Sequence, residues 1–162
     1  MSVRQLSLLI VFISFSIIGA MIKIPAIVTS VALDSFPALA ATAVLGPVGG
    51  MITASLGHLG SALLGGLPLG PLHLFVAAEM AGILWVFGKL YQKKKRISAY
   101  VFFFVSNGVL APLPFAFIMG APFYFALLPA LLIGAGINLL AGVIALPKIE
   151  HAANRVQKTA VK

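Results

Sequence analysis

The stretch that decides the fold reads Asp34-Ser-Phe-Pro-Ala-Leu-Ala-Ala-Thr-Ala-Val-Leu-Gly-Pro-Val-Gly-Gly50. It opens with a carboxylate, continues through apolar and small residues, and reaches a Gly46-Pro47 pair that favours a turn. Strongly hydrophobic segments lie on both sides, and an acid among them is costly. The position of Asp34 therefore calls for a physical reason.

Composition indicates a membrane protein. Of the 162 residues, 61% are hydrophobic and only 9% are charged. Runs of about 20 apolar residues can cross the hydrocarbon core as helices, and the period-2 alternation of a barrel is missing. The net charge of +8 comes from basic residues in short polar gaps, which indicates cytoplasmic loops rather than nucleic-acid binding. The chain has no cysteine, so disulfides and thiolate chemistry are excluded.

Apolar runs and their breakers predict an all-α membrane protein, a single domain with six transmembrane helices. From Asp34 to Leu45 the second helix would be only about 18 Å long, so either the connection at 24–33 completes its crossing or it begins in a recess. Pro112 and Pro114 should kink the fifth helix. The predicted helices cover approximately 5–24, 34–46, 48–64, 71–91, 97–119 and 123–146, followed by a basic, partly helical cytoplasmic tail at 147–162.

Six crossings put both termini on one side of the membrane. With the loop at 93–96 in the cytoplasm, Arg4 and the tail are cytoplasmic too, and of the eleven Lys and Arg residues all except Lys23 obey the positive-inside rule. Adding or removing one span would break that agreement. The long first apolar run favours a retained helix over a cleaved signal peptide.

Most of the intramembrane ionisable residues gather in the outer half of this bundle. Such a group persists in lipid where it is paired, faces water or binds something. The alternatives are that Asp34 caps its helix and pairs with Lys23, that each histidine is satisfied locally, and that Asn107 and Asn138 bond between helices. We expect an outward-opening pocket whose binding residues are Lys23, Asp34, His58, His73, Glu79 and Asn107.

Several kinds of chemistry are missing from the sequence. There is no phosphate-binding Gly-rich loop, no His-Glu-x-x-His motif and no serine in an elbow context. The acids and histidines match no common metal-ligand spacing, so we expect no metal. Ser16 and Ala20 form a small-x-x-x-small pair, which lets a helix approach closely, either within the chain or on a partner.

Taken in order, these features resemble a known family. Six predicted helices, the connection after the first, Asp34-Ser-Phe-Pro-Ala, Leu45-Gly-Pro-Val-Gly-Gly50 and Gly57-His58 resemble the substrate-binding S components of energy-coupling factor (ECF) vitamin transporters, over nearly the whole chain. Within that family, Ala32-Leu-Asp-Ser-Phe-Pro-Ala38 looks most like the α-ribazole type, whose substrate is a precursor of the cobalamin lower ligand.

The resemblance implies a subunit in a prokaryotic cell membrane that captures a vitamin or precursor from outside, without cofactor or catalysis. The implied pocket lies near the outer ends of helices four to six. The implied partners are a membrane coupling subunit and two ATPase subunits, docked through small residues of helix one. The family pattern there is Ala-x-x-x-Ala, whereas this chain has Ser16-x-x-x-Ala20.

Other functions remain open at this point. Within the family, the substrate could instead be cobalamin itself, a thiamin precursor or pantothenate. From other classes, the chain could be an intramembrane enzyme that uses Asp34, His58 and Glu79, or a small proton-coupled carrier.

Overall fold

The computed structural model describes residues 1–21, 23–25 and 30–159, with the side chains at 23–25, 30–32, 154 and 156–159 left out. The regular secondary structure of these residues is helical apart from two short paired strands, which confirms the all-α class. Its elements in chain order are α1 (Val3–Met21), β1 (Lys23–Pro25), β2 (Ser30–Ala32), α2 (Ser35–Leu64), α3 (Leu72–Gln92), α4 (Arg96–Val105), a π-helix (Ser106–Leu110), α5 (Leu113–Ile118) and α6 (Ala121–Thr159).

Five helical segments of the described chain are long and apolar enough to cross a membrane. Large hydrophobic residues such as Phe15, Leu63 and Phe117 are exposed, while Ser16 and Asn138 are buried. This distribution is the inverse of a water-soluble protein and suits an exterior that contacts lipid. These features indicate a multi-pass membrane protein. The candidate spans are Val3–Met21, Ser35–Leu64, Leu72–Gln92, Arg96–Ile118 and Ala121–Ala153.

Helix α2 is divided at Gly46. This glycine has φ 83° and ψ −175°, which is not helical, and Pro47 follows it. Gly50 packs so closely against Thr42 that a Cβ on the glycine would collide with the threonine hydroxyl. In an uninterrupted helix these residues would lie about 12 Å apart along the axis. The chain therefore folds back at Gly46, and α2 consists of a first arm (35–45) and a second arm (47–64).

The first arm lies at the centre of the bundle. Six consecutive residues, 37–42, are buried, and Thr42 satisfies its hydroxyl by donating to the Ala38 carbonyl at 2.9 Å. The second arm packs against α1. Ser16 of α1 lies against Gly57, and Ile17 lies against Gly60. The centre of the bundle is thus a short helix that other helices shield from lipid.

The basic end of the bundle, where the turn 93–95 joins α3 to α4, is held by ionic contacts. The Arg96 guanidinium donates to the Glu150 carboxylate at 2.6 Å and lies over the Tyr91 ring, 3.6 Å from its centroid. Lys94 adds a second ion pair to Glu150 at 3.3 Å. These contacts join α3, α4 and α6.

The loop end, which carries the loop 65–71 and the turn 119–120, lies opposite. Phe75 near the start of α3 contacts Phe115 of α5 edge to face, with ring centroids 6.1 Å apart. The two ends therefore differ in chemistry, one ionic and one built from glycine, proline and aromatic residues.

Helix α6 extends beyond the span predicted at 123–146 and into the tail, which the sequence predicts to be partly helical. Helix α6 passes through Pro147 and continues to Thr159. Proline removes one backbone hydrogen bond, but the following turn carries Glu150, which the ion pair with Arg96 holds in place. The predicted tail is therefore largely a helical extension at the basic end.

The fifth predicted helix, 97–119, is interrupted more deeply than a simple kink. A π-helix occupies Ser106–Leu110, and the Ala111 N–H donates to the Ser106 carbonyl five residues earlier at 2.8 Å. Pro112, which has no N–H, then ends this stretch and α5 begins at Leu113. The connection predicted at 24–33 contains the hairpin, in which Lys23 pairs with Ala32 and Pro25 with Ser30.

Candidate functional site

A cavity of about 270 Å³ lies between the helices at the loop end. Its wall comes from both arms of α2, from α3, from the π-helix and from α5 and α6. Leu69, Phe115 and Phe123 mark its position near the loop end. Ligand pockets for small molecules begin at about this size. The polar residues on the wall are Asp34, Ser35, His58, Glu79, Asn107 and Asn138.

Asp34 stands at the N-cap position of α2, but its side chain makes no capping hydrogen bond. The Phe36 N–H, which needs a partner at the start of the helix, instead donates to the Asn138 Oδ1 at 2.7 Å. The alternative in which Asp34 caps its helix is therefore not observed, because an amide 102 residues away from Phe36 supplies the cap. Asp34 itself lines the cavity.

Two further contacts hold the backbone and side chain of Asp34. The Ser16 hydroxyl donates to the Asp34 carbonyl at 2.7 Å, and the Ser35 hydroxyl donates to its Oδ1 at 3.2 Å.

Glu79 projects from α3 into the same cavity. Its Oε2 atom is buried and has no hydrogen-bond partner among the described residues. A buried carboxylate oxygen without a donor is unfavourable by about 1–3 kcal/mol or more. This atom is therefore available to a donor that enters the cavity.

The two intramembrane histidines contact each other. His58 lines the cavity, and its Nε2 lies 3.1 Å from the Nδ1 of His73. His73 is buried behind it, and its Nε2 accepts the Leu69 N–H at 3.2 Å. Of the two predicted ligand contacts, His58 lies on the cavity wall, whereas His73 reaches the wall only through His58.

Asn107 lines the cavity from the π-helix. Single π-helical turns inserted in α-helices are frequent at functional sites. Beside it, Phe115 and Phe123 form an aromatic wall with ring centroids 6.4 Å apart. The cavity thus combines aromatic surface with a few convergent polar groups, the usual composition of a small-molecule site.

Asn138 was expected either to bond between helices or to contact a ligand, and its partners favour the first role. Besides capping Phe36 it donates to the Gly134 carbonyl at 2.9 Å. The sequence signal for a hydrogen bond between helices is an amide side chain within the apolar part of a helix, as at Asn138. The pairing with Phe36 cannot be read from the sequence because it crosses 102 positions.

The remaining predicted residues lie elsewhere. The side chain of Lys23 is outside the described residues, so the prediction for it stays a prediction. Ser16 is buried against Gly57 and bonded to Asp34, which is internal packing rather than an exposed docking surface. Ala20 is half-buried.

No group of three His, Asp or Glu residues in the described chain is arranged to hold a metal ion. The cavity offers hydrogen bonds, carboxylates and aromatic faces, which are groups that bind a small molecule. Neither a protein-family model, nor a curated protein, nor a solved structure matches this chain.

Proposed function

We propose that this chain is a membrane-embedded binding protein that captures a small organic molecule in the cavity at its loop end. The observation that carries the proposal is the convergence of Asp34, His58, Glu79 and Asn107 on one cavity. In a bundle with an apolar exterior, four such groups from different elements are retained at a cost in stability unless a ligand uses them.

The proposal extends to the family that the sequence resembles. In it, the chain is the S component of an ECF importer in the cytoplasmic membrane of a prokaryote, and its cavity opens to the outside. A membrane coupling subunit and two ATPase subunits then drive release on the inner side. The position of the cavity at the end opposite the basic turn 93–95 supports this orientation, because basic loops favour the cytoplasm.

Six crossings are part of the same proposal. The fold-back at Gly46 supports them, since it lets the two arms of α2 cross in opposite directions. The first arm has eleven residues, about 16 Å of helix, so the hairpin that precedes it would complete the crossing. Gly46 lies beside the Gln92 amide, which supports placing the fold-back at the basic end.

The leading ligand is α-ribazole. Its aromatic bicycle suits the wall formed by Phe115 and Phe123, and its ribose hydroxyls can donate to Asp34 and Glu79. Cobalamin, a thiamin precursor and pantothenate are the comparison ligands. Thermal-shift and calorimetric titration of the purified chain against this panel should give the largest response with α-ribazole.

The site is tested by removing its charges without changing its shape. Glu79→Gln and Asp34→Asn should each lower ligand affinity about ten- to a hundredfold, since a hydrogen bond to a charged group contributes about 1.5–3 kcal/mol. Isothermal titration calorimetry measures the loss. Wild-type affinity in both variants would refute the site assignment.

Glu150→Gln is the matched control. It removes a carboxylate at the basic end, where Arg96 and Lys94 pair with it, far from the cavity. The melting temperature should fall while the affinity stays at the wild-type value. Turnover of a ligand by the purified chain, or uptake into vesicles without any ATPase, would instead favour an enzyme or a proton-coupled carrier.

A further inference from the structure

The hydrogen bonds around the two histidines determine where their protons are. A backbone N–H can only donate, so the Leu69 N–H at 3.2 Å makes the His73 Nε2 an acceptor. A neutral imidazole with an acceptor at Nε2 carries its proton on Nδ1. The His73 Nδ1–H then points at the His58 Nε2, 3.1 Å away, which must accept it.

The other proton arrangements conflict with these contacts. If the His58 Nε2 carried the proton, the His73 Nδ1 would have to accept it, and His73 would hold no proton on either nitrogen. Moving the proton of His73 to Nε2, or protonating both of its nitrogens, would set an N–H against the Leu69 N–H. A neutral His58 that accepts at Nε2 therefore carries its proton on Nδ1.

We propose that His73 is a positioning residue that holds His58 as the Nδ1–H tautomer. His58 lines the cavity, and its Nδ1 has no hydrogen-bond partner among the described residues. His58 therefore offers a donor to the cavity, while Asp34 and Glu79 offer acceptors. The ligand recognised here carries a hydrogen-bond acceptor, such as a ring nitrogen, a carbonyl or an ether oxygen, in addition to donor groups.

The tautomer is testable without any ligand. The chain is labelled with 15N in its histidines and studied by NMR at pH 8, above the usual histidine pKa of about 6.5. His58 should show a protonated Nδ1 and an unprotonated Nε2, with assignment from the His58→Gln variant. His151 is exposed and serves as the reference, since its signals give the tautomer mixture of a histidine in contact with solvent. A proton on the Nε2 of His58 would overturn the proposal.

Two variants of His73 separate positioning from structural support. In His73→Asn the amide nitrogen can stand near the former Nδ1 and still donate to His58, whereas in His73→Asp that position can only accept. Both variants lose the acceptor for Leu69, so a structural role would move both alike. His58 should keep the proton on Nδ1 in the Asn variant and gain one on Nε2 in the Asp variant. The same tautomer in both variants would refute the positioning role.

The ligand half of this inference rests on the proposed function, and a second pair of variants tests it. His58→Asn keeps a donor on the wall and should stay within about tenfold of wild-type affinity for α-ribazole. His58→Asp replaces the donor by an acceptor and should lose more than tenfold. If the tautomer is found and no panel ligand binds, the proposed function fails alone; if a ligand binds with His58 protonated on Nε2, only this inference fails.

Discussion

Asp34 shows how individual residues in this bundle are placed by contacts from distant helices. Its carbonyl accepts the Ser16 hydroxyl of α1, and the N–H of Phe36, two residues on, is capped by Asn138 of α6. Because Asn138 accepts the hydrogen bond from the Phe36 N–H, the Asp34 carboxylate does not serve as the cap of α2. An acid can then face the cavity.

Ser16→Ala tests this support at the level of one atom. The substitution leaves the Asp34 carbonyl without its 2.7 Å bond and should destabilise the protein by about 1–3 kcal/mol, since a partly buried acceptor loses its partner. Unfolding followed by circular dichroism in detergent measures the change. Ser14→Ala, on the exposed side of α1, should be nearly neutral. Equal stability of the two variants would contradict a supporting role for Ser16.

At the level of single elements, α2 depends on its break. The fold-back at Gly46 lets an eleven-residue arm stand in the middle of the bundle, where Asp34 at its start reaches the cavity. The π-helix has a comparable effect on the other wall, because it carries Asn107. Both irregular segments lie in helices that contribute polar residues to the cavity.

Gly46→Ala should destabilise the protein by about 1–3 kcal/mol. Its φ of 83° and ψ of −175° form a backbone conformation that is essentially restricted to glycine. Gly82→Ala is the matched control, since a Cβ at that position in α3 meets nothing within 4 Å. That control should be neutral or stabilise by up to about 1 kcal/mol. Thermal melts of the two variants give the comparison, and a Gly46→Ala variant as stable as the control would contradict the fold-back.

For the whole molecule, the division of α2 decides the topology in the membrane. If both arms cross, the N-terminus and the turn 93–95 are separated by four crossings and lie on the same side. If α2 crosses once, they are separated by three and lie on opposite sides. The sides of the membrane on which the N-terminus and the turn 93–95 lie therefore show whether α2 crosses once or twice.

The chain contains no cysteine, so each introduced thiol is unique. Ser2→Cys and Lys93→Cys should both react with a membrane-impermeant maleimide only from the cytoplasmic side of vesicles, and Pro68→Cys only from the outer side. Labelling of positions 2 and 93 from opposite sides would refute six crossings. A lysed-vesicle reaction controls for thiols that are buried.

Features that depend on neighbouring residues were accessible from the amino-acid order. Hydropathy and helix length indicated a helical membrane protein, and Gly46-Pro47 indicated a turn, because partitioning into lipid and the φ range of glycine and proline are local properties. The cost of an acid in lipid likewise singled out Asp34 and Glu79. Both line the cavity.

Which partner each polar group has depended on the packing of helices that are far apart in the chain. The cap on Phe36 comes from Asn138, His73 stands behind His58, and Ser16 is used inside the bundle. Helix α6 also continues past Pro147, where the ion pair at the basic end supports it. A hydrogen bond or an ion pair forms only where two groups meet in space, and residue spacing along one helix does not contain that information.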